Sequence, residues 1–284
     1  MKRRITAVLL IAVAWALPGL SAAQDAAQAA ATKGVEASEA ESDGPVRHYL
    51  IGAALASSQG HIGSEGRELG LQPVWGFWAG RYRLSSGRAS SLWQVGRETV
   101  VDAGLSTTLV SHSDWSLGAS LSRDAGRKSG DEPLLAGVPD LRSTLRGKVS
   151  VGYAFAPRWS LGLGSSHDLL GRDGGGRYSA SLGYRQPLSE RAYWDASLSA
   201  SWGNRDYMRG HYGIPAAAAP RPAYSLDGGI EGMGLGWSFT TAINHNWVAY
   251  AGWNLSRLMG DAGRSPVVGT RQVWGASAGV AYRY

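Results

Sequence analysis

The final eleven residues, Trp274 to Tyr284, constrain this chain more than any other segment. Side chains on a strand point alternately to two faces. Trp274, Ala276, Ala278, Val280, Tyr282 and Tyr284 therefore share one face, and Val273, Gly275, Ser277, Gly279, Ala281 and Arg283 the other. An apolar face with aromatics at both ends, backed by a small and polar face, suits a strand with lipid on one side and a wet lumen on the other. The competing reading is the edge strand of a soluble sandwich. On the barrel reading, Val280, Tyr282 and Tyr284 carry the signal for membrane insertion.

The N-terminus reads as an export signal. Lys2, Arg3 and Arg4 form a positive region, Ile5 to Leu17 an apolar one, and Ser21-Ala22-Ala23 a small-residue cleavage site. Cleavage after Ala23 is expected, which makes residues 1–23 a signal peptide. No later stretch has the run of about 18 apolar residues that a membrane helix needs. A chain of this kind enters a membrane only as a closed barrel, because lipid offers no partners for unpaired backbone groups. The 12 Trp and 12 Tyr against 3 Phe suit interfacial girdles. Mean hydropathy of −0.18 fits strands that bury only one face in lipid. With no cysteine, disulfides, thiolate metal sites and cysteine nucleophiles are excluded.

Charge divides unevenly. The formal +6 falls to +3 without Lys2, Arg3 and Arg4; residues 24–46 carry −4, leaving +7 on residues 47–284. The arginines of that part are scattered over strand ends and loops with no basic stripe, which argues against nucleic acid. Acidic lipid headgroups and lipopolysaccharide are the expected partners. Residues 24–46, rich in Ala, Glu, Ser and Gln, read as a disordered periplasmic lead-in.

Twelve strands are expected over residues 47–284: 47–58, 68–84, 89–97, 99–110, 115–124, 143–155, 159–168, 177–186, 192–203, 227–242, 247–258 and 271–284. Trp194, Ala196, Leu198, Ala200 and Trp202 oppose Tyr193, Asp195, Ser197, Ser199 and Ser201; several other strands alternate as cleanly. Over 68–97 neither phase is cleanly apolar. Short turns are expected at Ser85–Arg88, His112–Asp114, Pro157–Arg158, Pro187–Glu190 and Asn244–Asn246. Apart from Gly96–Glu98, short and longer connections alternate, as they do in a barrel with short periplasmic turns and longer extracellular loops. The fold class is all-β, a transmembrane antiparallel barrel of about twelve strands. Export and an even strand count place it in the outer membrane of a Gram-negative bacterium with both termini periplasmic.

Gly63-Ser64, Leu135-Ala-Gly-Val-Pro-Asp140, Asp206-Tyr207-Met208, Tyr212-Gly213-Ile214, Ser265-Pro-Val-Val268 and the closing Tyr282-Arg-Tyr284 carry a family resemblance. In order and context they resemble the MltA-interacting protein/OmpV family of outer-membrane barrels over about residues 47–284. His61 stands where that family usually has tyrosine, and Gly171–Gly176 lacks a histidine common there. The resemblance implies a scaffold that brings a lytic murein transglycosylase together with a penicillin-binding protein. A narrow passive channel for small solutes is the alternative.

Candidates for chemistry are few. Ser165-Ser166-His167-Asp168 holds the residue types of a hydrolase, but Ser166 and His167 point to opposite faces of a strand. No His/Asp/Glu set has metal-ligand spacing, and Gly171–Gly176 lacks the Lys-Ser/Thr and the following helix of a phosphate loop. A non-enzymatic protein without cofactor is expected. Asp102, Arg185, Asp195 and Arg283 are expected to face the lumen. Asp206, Tyr207 and His211 lie in a long loop rich in charge and aromatics, which is either an ordered surface loop or one that contacts a ligand or folds in as a plug.

Overall fold

The computed structural model describes residues 49–59, 67–86, 104–130, 133–216, 218 and 222–284. Among them twelve antiparallel strands form a closed barrel, each paired with its neighbours in sequence and the last with the first. They are β1 (Tyr49–Gln59), β2 (Arg67–Ala79), β3 (Tyr82–Ser85), β4 (Gly104–His112), β5 (Trp115–Asp124), β6 (Thr144–Ala156), β7 (Trp159–Asp168), β8 (Gly176–Ser189), β9 (Ala192–Gly203), β10 (Gly229–Ala242), β11 (Trp247–Leu258) and β12 (Gln272–Arg283). Two short helices, α1 (Arg205–Tyr212) and α2 (Gly260–Arg264), lie between β9 and β10 and between β11 and β12. No helix among the described residues is long and apolar enough to cross a membrane.

Register fixes which side chains share a face. Leu161, Leu182, Leu198, Leu235 and Leu255 stand opposite one another across five adjacent strands. They face outward; Leu182 is half-buried and the other four are exposed, with Leu198 at 44 %. Exposed aromatics flank this apolar surface. Near the short turns Tyr49 stacks on Tyr284, Trp247 meets Tyr282 edge-on, and Trp159, Tyr184 and Trp194 form a run. Toward the other end stand Tyr178, Trp202 and Trp274. So much exposed apolar surface is unstable in water and stable in lipid, and closure leaves no backbone edge to satisfy. The barrel spans a membrane.

The first third of the barrel differs from the sequence expectation. The single strand expected at 68–84 is two strands, and the turn expected at Ser85–Arg88 lies instead at Gly80-Arg81. Gly80 takes a φ of +57°, a left-handed conformation open to glycine, and lets the chain reverse in two residues. Apolar side chains in both phases hid that reversal. The strand expected at 89–97, the connection at Gly96–Glu98 and the first five residues of the strand expected at 99–110, Asp102 among them, lie outside the described residues, as do residues 1–46. A bulge between Pro187 and Ser189 also carries β8 further than expected, moving its turn to Glu190-Arg191. Among the described strands, short turns at 80–81, 113–114, 157–158, 190–191 and 243–246 alternate with longer separations. The start of β1 and the end of β12 lie at the turn end, where Tyr49 and Tyr284 exchange backbone hydrogen bonds of 3.0 and 3.1 Å.

Inside the turn end, Leu50, Ala54, Val74, Val248, Tyr250 and Ala281 form a buried apolar cluster, with Trp78 packed against it. The rest of the inner wall is small and polar. Ser197 and Ser199 on β9, with Asn254 and Ser256 on β11, point inward yet remain exposed, so this stretch of lumen is open to water.

Candidate functional site at the mouth of the barrel

The end opposite the turns is covered by its own loops. After β9 the chain turns inward at Asn204, whose side-chain oxygen accepts from the backbone N–H of Tyr207 at 2.9 Å. That is an N-cap, filling one of the orphan donors of the first helical turn. The same oxygen accepts from Gly176 N–H at 2.9 Å, so the cap also fastens α1 to the start of β8. Tyr207, Met208 and Tyr212 are buried along one side of α1. The helix lies against the inner wall, where even a methyl group at Gly203 would stand 2.5 Å from the Tyr207 ring.

Glu231 anchors this helix. The β9–β10 register shifts between Ile230 and Gly232, and the extra residue of that bulge is Glu231. Only 2 % of it is exposed. One carboxylate oxygen accepts from the hydroxyls of Tyr207 at 2.7 Å and Tyr212 at 2.8 Å; the other accepts from Arg177 Nε at 2.6 Å. Burial, then the charge of Glu231, pushes both phenol pKa values well above the ordinary range, so both remain donors. A buried carboxylate is tolerable only when paired and hydrogen-bonded in this way.

Arg146 on β6 completes the floor. It donates to the carbonyls of Gly174 and Gly175 at 2.9 and 3.2 Å, pairs with Asp124 at 3.5 Å, and lies 5.4 Å from the Tyr207 ring centre. His211 stacks on the same Tyr207 ring, centre to centre at 4.1 Å, and its Nδ1 lies 2.9 Å from the Tyr207 carbonyl oxygen. Burial lowers the His211 pKa and favours the neutral ring. Arg127 donates to the His211 carbonyl at 2.7 Å, and Ser265 to that of Tyr212 at 2.5 Å. Two apolar clusters seal the cover. One joins Tyr207, Met208 and Tyr212 to Leu226, Leu258 and Ala262; the other joins Leu135, Val138, Ile214, Ala218 and Val267 from three separate loops.

Four of the short motifs singled out in the sequence thus converge on one structure: Leu135–Asp140, Asp206–Met208, Tyr212–Ile214 and Ser265–Val268. Gly63-Ser64 lies outside the described residues. The chain matches the family described as MltA-interacting protein MipA over residues 51–284. It belongs to that family. No curated protein matches it. Among solved structures the chain is similar to an outer-membrane channel from Pseudomonas putida F1, at 13 % identity, covering 84 % of this chain and 96 % of that one with a TM-score of 0.43. A NanC porin follows at 8 % identity, 83 % and 100 % coverage and 0.42. The outer-membrane OmpT of Vibrio cholerae is comparable at 9 % identity, 84 % and 97 % coverage and 0.39.

The other residues marked in the sequence of this MipA-family barrel are dispersed. Arg185 and Asp195 stand opposite each other on β8 and β9, joined at 2.7 and 3.2 Å, with the Arg185 guanidinium 4.2 Å from the Tyr193 ring. Arg283 is opposite Leu50 on the inner face of the β1–β12 pair. Asp102 lies outside the described residues, and Asp206 is an exposed residue of α1. Ser166 and His167 diverge: Ser166 Oγ accepts from Arg146 at 3.0 Å, while His167 meets Ser165, two residues back on the outer face, at 3.0 Å. Asp168 is turned away, accepting from Thr144 and from the N–H groups of Leu170, Arg172 and Gly174. The backbone N–H groups around Ser165 serve the sheet ladder rather than an oxyanion hole.

Glu231, Arg177 and Arg146 were missed by sequence reasoning. A signal for Glu231 exists. Outward residues run Met233, Leu235, Trp237 at spacing two, whereas Ile230 stands three before Met233, which requires one extra residue.

Proposed function

We propose that this chain is a non-enzymatic outer-membrane barrel that anchors murein-remodelling enzymes, its turn end facing the periplasm. One observation carries the reading: the β9–β10 segment folds in at the mouth, where its two tyrosines are bound to a carboxylate of the wall itself. A barrel so closed serves better as a fixed membrane platform than as an open pore. Membership of a family named for interaction with MltA supports a transglycosylase as the partner. The acidic segment 24–46, with its net −4 and few large apolar residues, has the composition of a segment that binds a partner along its length, and it is the part assigned to meet a periplasmic enzyme.

Crosslinking of intact envelopes tests this. Full-length protein is expected to capture a transglycosylase or a penicillin-binding protein, and a 24–46 deletion to capture less. Recovery of no murein enzyme from either would overturn the anchoring role. A second reading, a narrow channel, draws on the water-open stretch of lumen beside Ser197, Ser199, Asn254 and Ser256. Steady conductance of the unmodified protein in a planar bilayer would favour it.

A further inference from the structure

We propose that the β9–β10 segment is a plug latched to the wall through Glu231, and that its release opens the lumen to small neutral polyhydroxylated solutes. This goes beyond the anchoring role and stands or falls separately from it.

The latch is built to have two tolerable states. When the plug is seated, Glu231 holds three donors: Tyr207 and Tyr212 come from the plug, and Arg177 comes from the wall. When the plug leaves, both tyrosines go with it. Arg177 stays, because it and Glu231 belong to neighbouring parts of the wall on β8 and β10. Lumen water then takes the vacated acceptor sites. Neither state strands an unpaired buried charge, which is the condition that usually locks a buried ion pair permanently. The bulge matters here, because it adds Glu231 to the inner face without turning Ile230 or Met233 away from lipid. The seated state is the resting one, since it buries Met208 and Leu226 against Leu258 and Ala262.

What lies beneath the plug indicates the solute. Ser197, Ser199, Asn254 and Ser256 point inward and remain exposed. Hydroxyl and amide groups both donate and accept, so they match a solute that is itself hydroxyl-rich. Glycine faces serine across adjacent strands: a methyl group at Gly234 or Gly236 would lie 2.7 Å from the hydroxyl of Ser199 or Ser197. The wall here is therefore about as thin as a sheet permits. Arg185 on β8 and Asp195 on β9, further toward the turns, neutralise each other.

The test uses purified full-length protein in planar bilayers and in liposomes loaded against a neutral monosaccharide. The wild type is expected to open rarely. Tyr207→Phe/Tyr212→Phe keeps both rings but removes both hydroxyl donors, and Glu231→Gln removes the charge they bind. Each is expected to raise open probability about tenfold or more, the effect of losing hydrogen bonds to a charged group, and to speed sugar entry in parallel. Heat-modifiable migration on gels confirms that the variants are folded barrels. Folded variants that conduct no more than the wild type would overturn the latch. Conductance that rises without sugar entry would overturn the assigned solute. A wild type already conducting steadily would show that the segment does not close the lumen. Murein-enzyme capture in the same variants reports on anchoring alone.

Discussion

At the mouth, single atoms decide whether α1 seats. Gly175 has a φ of +54°, and a methyl group there would lie 2.1 Å from the backbone nitrogen of Tyr207. Gly175→Ala is expected to cost about 2–3 kcal/mol through strain and displacement of the helix, read as lowered denaturant resistance of the folded barrel. His211 gives the cover a pH dependence. Its pKa is lowered by burial, with Asp124 and Glu231 opposing that shift and Arg146 reinforcing it, while Arg127 binds its carbonyl. A depressed histidine pKa means that the unfolded segment binds the proton more readily. The stabilisation is thus present above the ordinary value of about 6.5 and is lost as pH falls through the lower folded value. Hydrogen-exchange protection of the 205–212 amides, taken relative to the intrinsic rate at each pH, is expected to fall more from about pH 7.5 to about pH 5 in the wild type than in His211→Asn. Tyr207 and His211 were legible as members of an aromatic and charged loop. Their anchor was not, because a lone acid among glycines and apolar residues in Gly229-Ile-Glu-Gly-Met233 reads as an ordinary strand position until the bulge is recognised.

Strands rather than loops were the readable elements, and their clarity tracked side-chain size. Where inward positions are Ser and Gly and outward ones Leu and Trp, as in β7 to β9, the period of two is unmistakable. Where the inner face itself turns apolar, as around Val74 and Trp78 in β2, the period vanishes and two strands read as one. The Gly80-Arg81 reversal can be tested alone. No atom lies within 4 Å of a methyl group placed on Gly80, so Gly80→Ala should cost about 1 kcal/mol from backbone conformation only. A loss well above that in lipid refolding would mean the turn has a further role. At the other end of the chain, Tyr282, Ala281 and Val280 pair with Ile51, Gly52 and Ala53. Deleting Tyr282–Tyr284 exposes part of both terminal strands to lipid without partners and is expected to abolish most membrane insertion, seen as loss of the heat-modifiable form.

For the whole molecule, the alternation of short and long connections was the most dependable sequence feature, since it follows from chain reversal at two membrane surfaces rather than from any one side chain. What could not be read was how the long connections close over the mouth: Leu135, Ile214 and Val267 are far apart in sequence and meet only in three dimensions. Facing is open to direct measurement because the chain has no cysteine. Ser199→Cys should react with a water-soluble thiol reagent, whereas Leu198→Cys in liposomes should react only with a lipid-soluble one. Equal labelling of both would contradict the assigned faces. One more consequence follows from the pairing of β1 with β12, which joins Leu50 to Arg283. Every other strand finds its partner next to it in sequence, so eleven pairings form locally and this seam alone must wait for nearly the entire chain. The entropy of closing so long a loop grows only logarithmically, but its lateness makes it the step that sets the pace. Assembly should therefore pass through an open, curled sheet with two live edges, and time, rather than final stability, is what a defect at the seam would alter first.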